Sequence, residues 1–315
     1  MSEFPPLPVN DKWIVSMRGN KNPVDPWKPY GWMVEKERTI SGKIEDTGII
    51  FLTNRECPFH CLMCDLWKNT TDESVPAGAI PAQIAWALEQ MPDLKYLKLY
   101  NCGSFFDERA IAQADYKEIA SLVKNFETII VECHPKLIND KCLKFRDMLM
   151  PELHIALGLE TVHPSIMLSL NKQMTLEDFS SSVNFLTKHD IHTRAFILLR
   201  PPRLSESDGI YWAEKAIDFA FDAGVDCCTV IPVRAGNGAM EFLMEKGDFN
   251  LPDIRSLETV LEYGIGLKAG RVFADVWDLG LFSSCNKCLD KRTDRLVEMN
   301  LRQKIAIPIK CECNK

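Results

Sequence analysis

Three cysteines crowd one short stretch, Glu56-Cys57-Pro58-Phe59-His60-Cys61-Leu62-Met63-Cys64, directly after the apolar run Gly48-Ile49-Ile50-Phe51-Leu52-Thr53. The spacing C-x3-C-x2-C on one loop lets three thiolates point at a common centre. Thiolates are the usual ligands of iron–sulfur clusters, so such a loop can hold three irons of a [4Fe–4S] cube. The fourth iron then lacks a protein ligand, and an open metal position is where a substrate or cofactor binds. Zinc suits a lone triplet poorly, because structural zinc takes four ligands, commonly in C-x2-C pairs. Three unrelated buried cysteines are the plainer alternative.

A second group of thiols closes the chain: Cys285-Asn286-Lys287-Cys288 and Cys311-Glu312-Cys313. Four thiolates are enough for a tetrahedral zinc site, and a second iron–sulfur cluster makes the same demand. The spacing does not separate the two, and loop-bound free thiols remain the alternative. Cys102, Cys133, Cys142, Cys227 and Cys228 read as small core or loop residues. Twelve cysteines without an export signal argue for a reducing compartment and for metal over disulfides, so a cytoplasmic location is expected. No apolar run approaches the length of a membrane span.

These residues need a frame. From residue 48 the text alternates short apolar runs with helical patterns. The runs are Ile49–Thr53, Tyr96–Asn101, Thr128–Glu132, Leu153–Gly158, Thr193–Leu199 and Val225–Ile231. Periodic segments lie between them, near 79–91, 111–124, 136–148, 174–188 and 206–223. Such alternation implies βαβ units on a parallel sheet. Polar residues gather at the strand C-terminal ends, where barrel active sites are built, which predicts a partial (β/α)6 TIM-like barrel over 48–235. Residues 1–47 are proline-rich with interleaved aromatics and predict an ordered arm. Residues 236–315 form a C-terminal extension carrying the second thiol group, and Arg271–Trp277 adds an edge strand or caps the barrel.

At the strand ends, Gly103 and Ser104 follow the second run, where a glycine lets backbone approach a ligand. Glu132 and Glu160 each terminate an otherwise apolar strand, so their carboxylates are expected at the barrel mouth. A helix N-cap or a surface ion pair is the alternative for each. Arg200 stands before Pro201-Pro202, which exclude a helix there and direct the guanidinium into the mouth, where it suits a carboxylate or phosphate. Arg194 is an alternative inward-facing base, and Arg234 opens the glycine-bearing loop Arg234-Ala-Gly236-Asn237-Gly238.

The net charge of −7 is unevenly spread. Residues 12–43 and 291–315 each carry seven Lys/Arg against three Asp/Glu, a net +4 apiece, which leaves −15 for the rest. Two basic ends on an acidic body can grip a polyanion, with Arg18 and Arg38 as anion contacts. Simple solvation of both ends is the alternative.

With these pieces placed, the cysteine triplet behind a strand resembles the signature of radical S-adenosylmethionine (SAM) enzymes. The combination of Leu52-Thr-Asn-Arg-Glu-Cys57, Cys61-Leu-Met-Cys-Asp-Leu-Trp67, Gly103-Ser-Phe-Phe-Asp107, Pro201-Pro202 and Cys311-Glu-Cys313 is narrower. It looks like the family of the archaeosine synthase radical subunit, in the wider group that includes the elongator catalytic subunit. That resemblance implies SAM bound at the open iron through its amino and carboxylate groups, and cleaved on reduction to methionine and a 5′-deoxyadenosyl radical. It implies a reductant such as flavodoxin or ferredoxin.

The same resemblance sets Gly103 and Ser104 against the SAM amino group and Glu160 near the cofactor, since Gly158-Leu-Glu-Thr161 followed by Asn171-Lys172 is similar to the fourth-strand text of many radical enzymes. Met63 occupies a position that is commonly aromatic and lies against adenine. The implied reaction cleaves a C–N bond in a lysine adduct of a 7-deazaguanine nucleotide in tRNA, working with a lysine-transferring partner subunit. The chain departs from the family mostly in the third strand and the sixth-strand loop. A radical enzyme acting on a free small molecule or peptide, and a non-catalytic iron–sulfur or zinc protein that binds RNA, stay open.

Overall fold

The computed structural model describes residues 9–311. Eight strands, β1 (Gly31–Arg38), β2 (Ile44–Leu52), β3 (Tyr96–Asn101), β4 (Thr128–Cys133), β5 (Glu152–Glu160), β6 (His192–Leu199), β7 (Cys227–Pro232) and β8 (Arg271–Ala274), form one sheet in sequential order. β1 runs antiparallel to β2, with Gly31 opposite Phe51 and Arg38 opposite Ile44. All later neighbours pair in parallel. Strand order without reversal is that of a barrel, not of a doubly wound sheet. The sheet is a curled half-barrel, and the six expected strands are β2 to β7.

Alternation along the strands sorts the two faces. Leu97 and Leu99 of β3, Val131 of β4, Leu157 of β5 and Ile197 of β6 join the core under the helical layer. Their neighbours Lys98, Glu132, Gly158 and Phe196 therefore point into the barrel. The helices α1 (Asp11–Ser16), α2 (Ala79–Leu88), α3 (Tyr116–Leu122), α4 (Asp140–Arg146), α5 (Pro164–Ser169), α6 (Leu176–Thr187), α7 (Glu206–Asp222), α8 (Ala239–Glu245), α9 (Ile254–Leu267) and α10 (Asn286–Arg302) follow the chain. Burying one aliphatic side chain between sheet and helix contributes about 1.5–3 kcal/mol. A second apolar cluster, with Ile14 of α1, Leu62, Ile166 of α5 and Met240 of α8, packs around the cysteine loop. Among the described residues no helix is long and apolar enough to cross a membrane.

Two features depart from the sequence reading. The segment read as an arm contributes β1, whose inner face carries Glu35 and Glu37. Lys98 bonds both at 2.6 Å, and Arg194 bonds Glu37 at 3.1 Å. Four charges thus tie β1, β3 and β6 together across the interior. The barrel is also stoppered on its open side, because α10 packs against both β1 and β8. There Asn300 exchanges two hydrogen bonds of 2.8 Å with the backbone of Ala274, and Gln303 exchanges bonds of 2.8 and 2.7 Å with Val272. Side-chain amides thereby satisfy an edge strand that would otherwise be open to a stranger.

Candidate active site

The loop after β2 meets the ends of the other strands around a cavity of about 320 Å³, within the range of small-molecule sites. Cys57, Cys61 and Cys64 all line it, with Met63, Gly103, Glu132, Glu160, Lys172 and Arg234. Backbone anchors hold the loop in shape. Leu62 N–H donates to Leu170 O at 2.9 Å, and the Asn237 amide donates to Leu62 O and Cys64 O at 2.7 and 3.1 Å. The Phe59 ring stacks on His134 with centroids 3.8 Å apart. Glu56, at the start of the loop, is gripped by Arg18 and by Lys21 at 2.9 Å.

Gly103 makes the closest approach. It sits at φ +102°, and a Cβ there would lie 2.9 Å from the Cys57 Cβ and 3.0 Å from its sulfur. Burial pushes the Cys57 thiol up to about 12 and raises Cys61 as well, whereas a hydrogen bond from Cys102 lowers Cys64. Metal coordination overrides such shifts, because a coordinating thiol is deprotonated outright. The residues present fit a [4Fe–4S] cube: three thiols from one loop face one cavity, but their sulfurs do not converge within 4.8 Å as a single-ion site would require.

Glu160 ends β5 in the left-handed region at φ +67°, and its carboxylate accepts from Lys172. The pair lies across Gly158, where a Cβ would clash with both side chains. Burial opposes the Lys172 charge, but Glu160 and Cys61 hold it above its ordinary value. His134 donates through Nε2 to Lys172 O at 3.0 Å while its Nδ1 accepts from Lys136 N–H, and burial lowers its pKa to about 4, which keeps the ring neutral. Glu132 stands deep in the cavity, where burial, together with Cys64, pushes its carboxyl up to about 8.

Five expected site or anion-contact residues lie elsewhere. Arg200 does not enter the mouth: it adopts φ +56°, packs on Gly209 of α7, and bonds Glu206 at 2.5 Å and Leu251 O at 2.7 Å. Arg194 belongs to the interior charge network beneath the cavity. Ser104 is buried behind the wall, where its hydroxyl accepts from His134 N–H at 2.8 Å. Arg18, expected to contact an anion, is spent on Glu56 and lies over the Trp67 ring at 4.8 Å. Arg38 donates to Leu301 O at 3.3 Å. Arg234 does line the cavity, steadied by Asp275 at 2.8 Å and Trp277 O at 2.6 Å. The sequence reading passed over the clamping roles of Phe59, His134 and Asn237; only the position of Asn237 between two glycines hinted at one.

At the other end of the chain, the sulfurs of Cys285, Cys288 and Cys311 lie within 4.8 Å of one another, with Cys285 and Cys311 3.8 Å apart. Arg292 donates to the Cys288 sulfur at 3.4 Å. Cys313, the expected fourth member, falls outside the described residues.

No family model matches the chain. Among curated proteins, an uncharacterized protein of Methanocaldococcus jannaschii is 25% identical over 275 residues, which is 80% of this chain and 74% of that one. Archaeosine synthase subunit beta from Thermococcus kodakarensis is 26% identical over 211 residues, 64% of this chain and 65% of its own length. The subunit beta from Methanosarcina acetivorans is 25% identical over 216 residues, 64% of this chain and 60% of its own. The match thus spans less than two thirds of either subunit. Of solved structures, Elp3 from Methanocaldococcus infernus superposes with TM-score 0.54 at 14% identity, covering 81% of this chain and 64% of that one. Methylornithine synthase gives 0.51 at 12%, covering 71% and 64%; both likenesses concern the fold.

The curled half-barrel with a C-x3-C-x2-C loop at its mouth resembles the partial barrels of radical SAM enzymes, and the chain is similar to proteins of that superfamily. Within the superfamily it is similar to archaeosine synthase subunit beta.

Proposed function

We propose that Cys57, Cys61 and Cys64 hold a [4Fe–4S] cluster and that SAM fills the cavity beside it. The observation that carries this reading is the shared exposure of the three thiols to one cavity at the strand ends. When bound and reduced, the cluster supplies the electron that splits SAM into methionine and a 5′-deoxyadenosyl radical. The protein's part is positioning. Gly103 brings backbone against the Cys57 side. Glu160, fixed by Lys172, accepts from a ribose hydroxyl or the SAM ammonium. Met63 lays a polarisable thioether against adenine, and Arg234 bounds the cavity opposite. Glu132 faces the substrate. Arg200 keeps a structural part, bracing the turn from β6 into α7.

The substrate reading is a lysine adduct of a 7-deazaguanine nucleotide in tRNA, in which a C–N bond is cleaved to leave a formamidine. A flavodoxin- or ferredoxin-type reductant and a lysine-transferring partner subunit go with it. Likeness to archaeosine synthase subunit beta supports this, and a tRNA titration against salt tests it: affinity should fall steeply as salt rises. A free small molecule or peptide is the second reading, favoured because Arg18, Lys21 and Lys36 are already held by Glu56, Asp72 and Asp46. Salt-indifferent or absent tRNA binding would decide for it. The second thiol group is proposed to bind a structural metal, zinc before a second cluster, with Cys313 as fourth ligand.

A further inference from the structure

The charges in and under the cavity can be matched one against another. Lys98 and Arg194 are answered by Glu35 and Glu37, Lys172 by Glu160, and Arg234 by Asp275. Two lining carboxylates are left over, the solvent-exposed Asp65 at the rim and Glu132 further in. Among the described residues no hydrogen bond or ion pair reaches the side chain of Glu132, although it lines the cavity. Glu132 is half-buried, and a partly desolvated carboxylate without a partner is costly: it either takes up a proton or waits for a cation.

The surroundings of Glu132 favour one kind of cation. Phe196 lines the same cavity, and Tyr100 meets it edge to face with centroids 6.3 Å apart. Phe51 alternates along β2 with the core residues Ile50 and Leu52 and so faces the interior, where Tyr30 lies 5.6 Å from it. Burial and the nearby Glu132 both raise the Tyr30 phenol, and burial raises Tyr100, which Glu132 also reaches; neither phenol competes as a charge. Aromatic faces around a carboxylate attract organic cations through the ring quadrupole as well as the charge. An inorganic metal ion would want several hard oxygens, and the other interior carboxylates, Glu35, Glu37 and Glu160, are already held by Lys98, Arg194 and Lys172.

We propose that Glu132 and the rings around it receive an organic cation, a primary ammonium carried by the substrate. This rests on the radical SAM reading for the cofactor that shares the cavity. The site names a substrate class: a molecule carrying a primary amine, whether that amine belongs to an amino acid or to an amino acid joined to a larger partner.

The test is calorimetric titration of the cluster-loaded enzyme, with and without SAM, using n-hexylammonium and its neutral counterpart hexan-1-ol. With SAM bound, the ammonium should bind about tenfold or more tightly than the alcohol, as a charge-assisted hydrogen bond implies. Glu132→Gln should erase the preference and Glu132→Asp should keep part of it. Equal affinity for the two probes, no ammonium binding, or a preference surviving Glu132→Gln overturns the proposal. So does a preference seen only without SAM, which would assign Glu132 to the charge of SAM itself. The wild-type comparison needs no variant to fold. Cluster absorbance and 5′-deoxyadenosine release are followed on the same sample; their absence with the ammonium preference intact would sink the radical reading and leave the cation site standing.

Discussion

Gly103 and Cys57 are locked together: a Cβ on the glycine would stand 2.9 Å from the Cβ of the cysteine and 3.0 Å from its sulfur. The loop after β3 therefore sets where the first thiol of the triplet can be. Gly103→Ala adds both this clash and a left-handed backbone strain of about 1–3 kcal/mol. It should lower the iron and sulfide bound per chain after reconstitution, with the fold retained by circular dichroism. Full cluster content in that variant would mean that the two loops move independently.

Arg200 should behave as a structural residue. Removing it strips Glu206 and Leu251 O of a charged donor, which costs about 2 kcal/mol. Arg200→Ala should lower the melting temperature while leaving SAM affinity within about twofold, a difference below 1 kcal/mol. A large rise in the SAM dissociation constant at unchanged stability would return the guanidinium to the site.

These two residues also show what the sequence carried and what it hid. The cysteine spacing, the strand–helix alternation and the glycine after β3 are local signals, and they located the half-barrel and one wall of its cavity. Arg200 was misjudged because its direction depends on a positive φ and on the space over Gly209, a residue of the following helix. β1 was missed because its inner face carries Glu35 and Glu37, which read as a solvated stretch until Lys98 and Arg194 appear opposite them. Pairing of charges across a barrel has no signature along the chain. The tight gathering of Cys285, Cys288 and Cys311 was legible as a thiol count, but not as a geometry.

The interior charge network makes stability depend on acid. Burial alone would raise the Glu37 carboxyl, but Arg194 and Lys98 together hold it well below its ordinary 4.5. A group depressed on folding contributes stability that is present above its unfolded pKa and is lost as pH falls through its folded value. The melting temperature should thus decline as pH drops below about 4.5, the unfolded value for a glutamate of this kind. Glu37→Gln leaves Arg194 without its carboxylate and should cost about 3–5 kcal/mol at neutral pH, while flattening the acid limb. Thermal melts between neutral and acid pH check both. An unchanged acid limb would remove Glu37 from the account.

The second thiol site should hold metal independently of the first. In a protein with Cys57, Cys61 and Cys64 all changed to alanine, elemental analysis should find one zinc per chain and little iron. A strong chelator should release that zinc and lower the melting temperature, because the metal ties residue 311 to the start of α10, the helix that covers the open edge of β8. Finding neither zinc nor iron would leave these thiols without a metal role.

The most direct test of the account is reductive cleavage of SAM by anaerobically reconstituted protein, read as 5′-deoxyadenosine released on adding dithionite. The wild-type chain should release it in amounts that scale with cluster content, and the protein with all three loop cysteines changed to alanine should release none. Cleavage that persists without Cys57, Cys61 and Cys64, or a wild-type chain that carries a full cluster and yet releases no 5′-deoxyadenosine, would contradict the assignment of this half-barrel to radical chemistry.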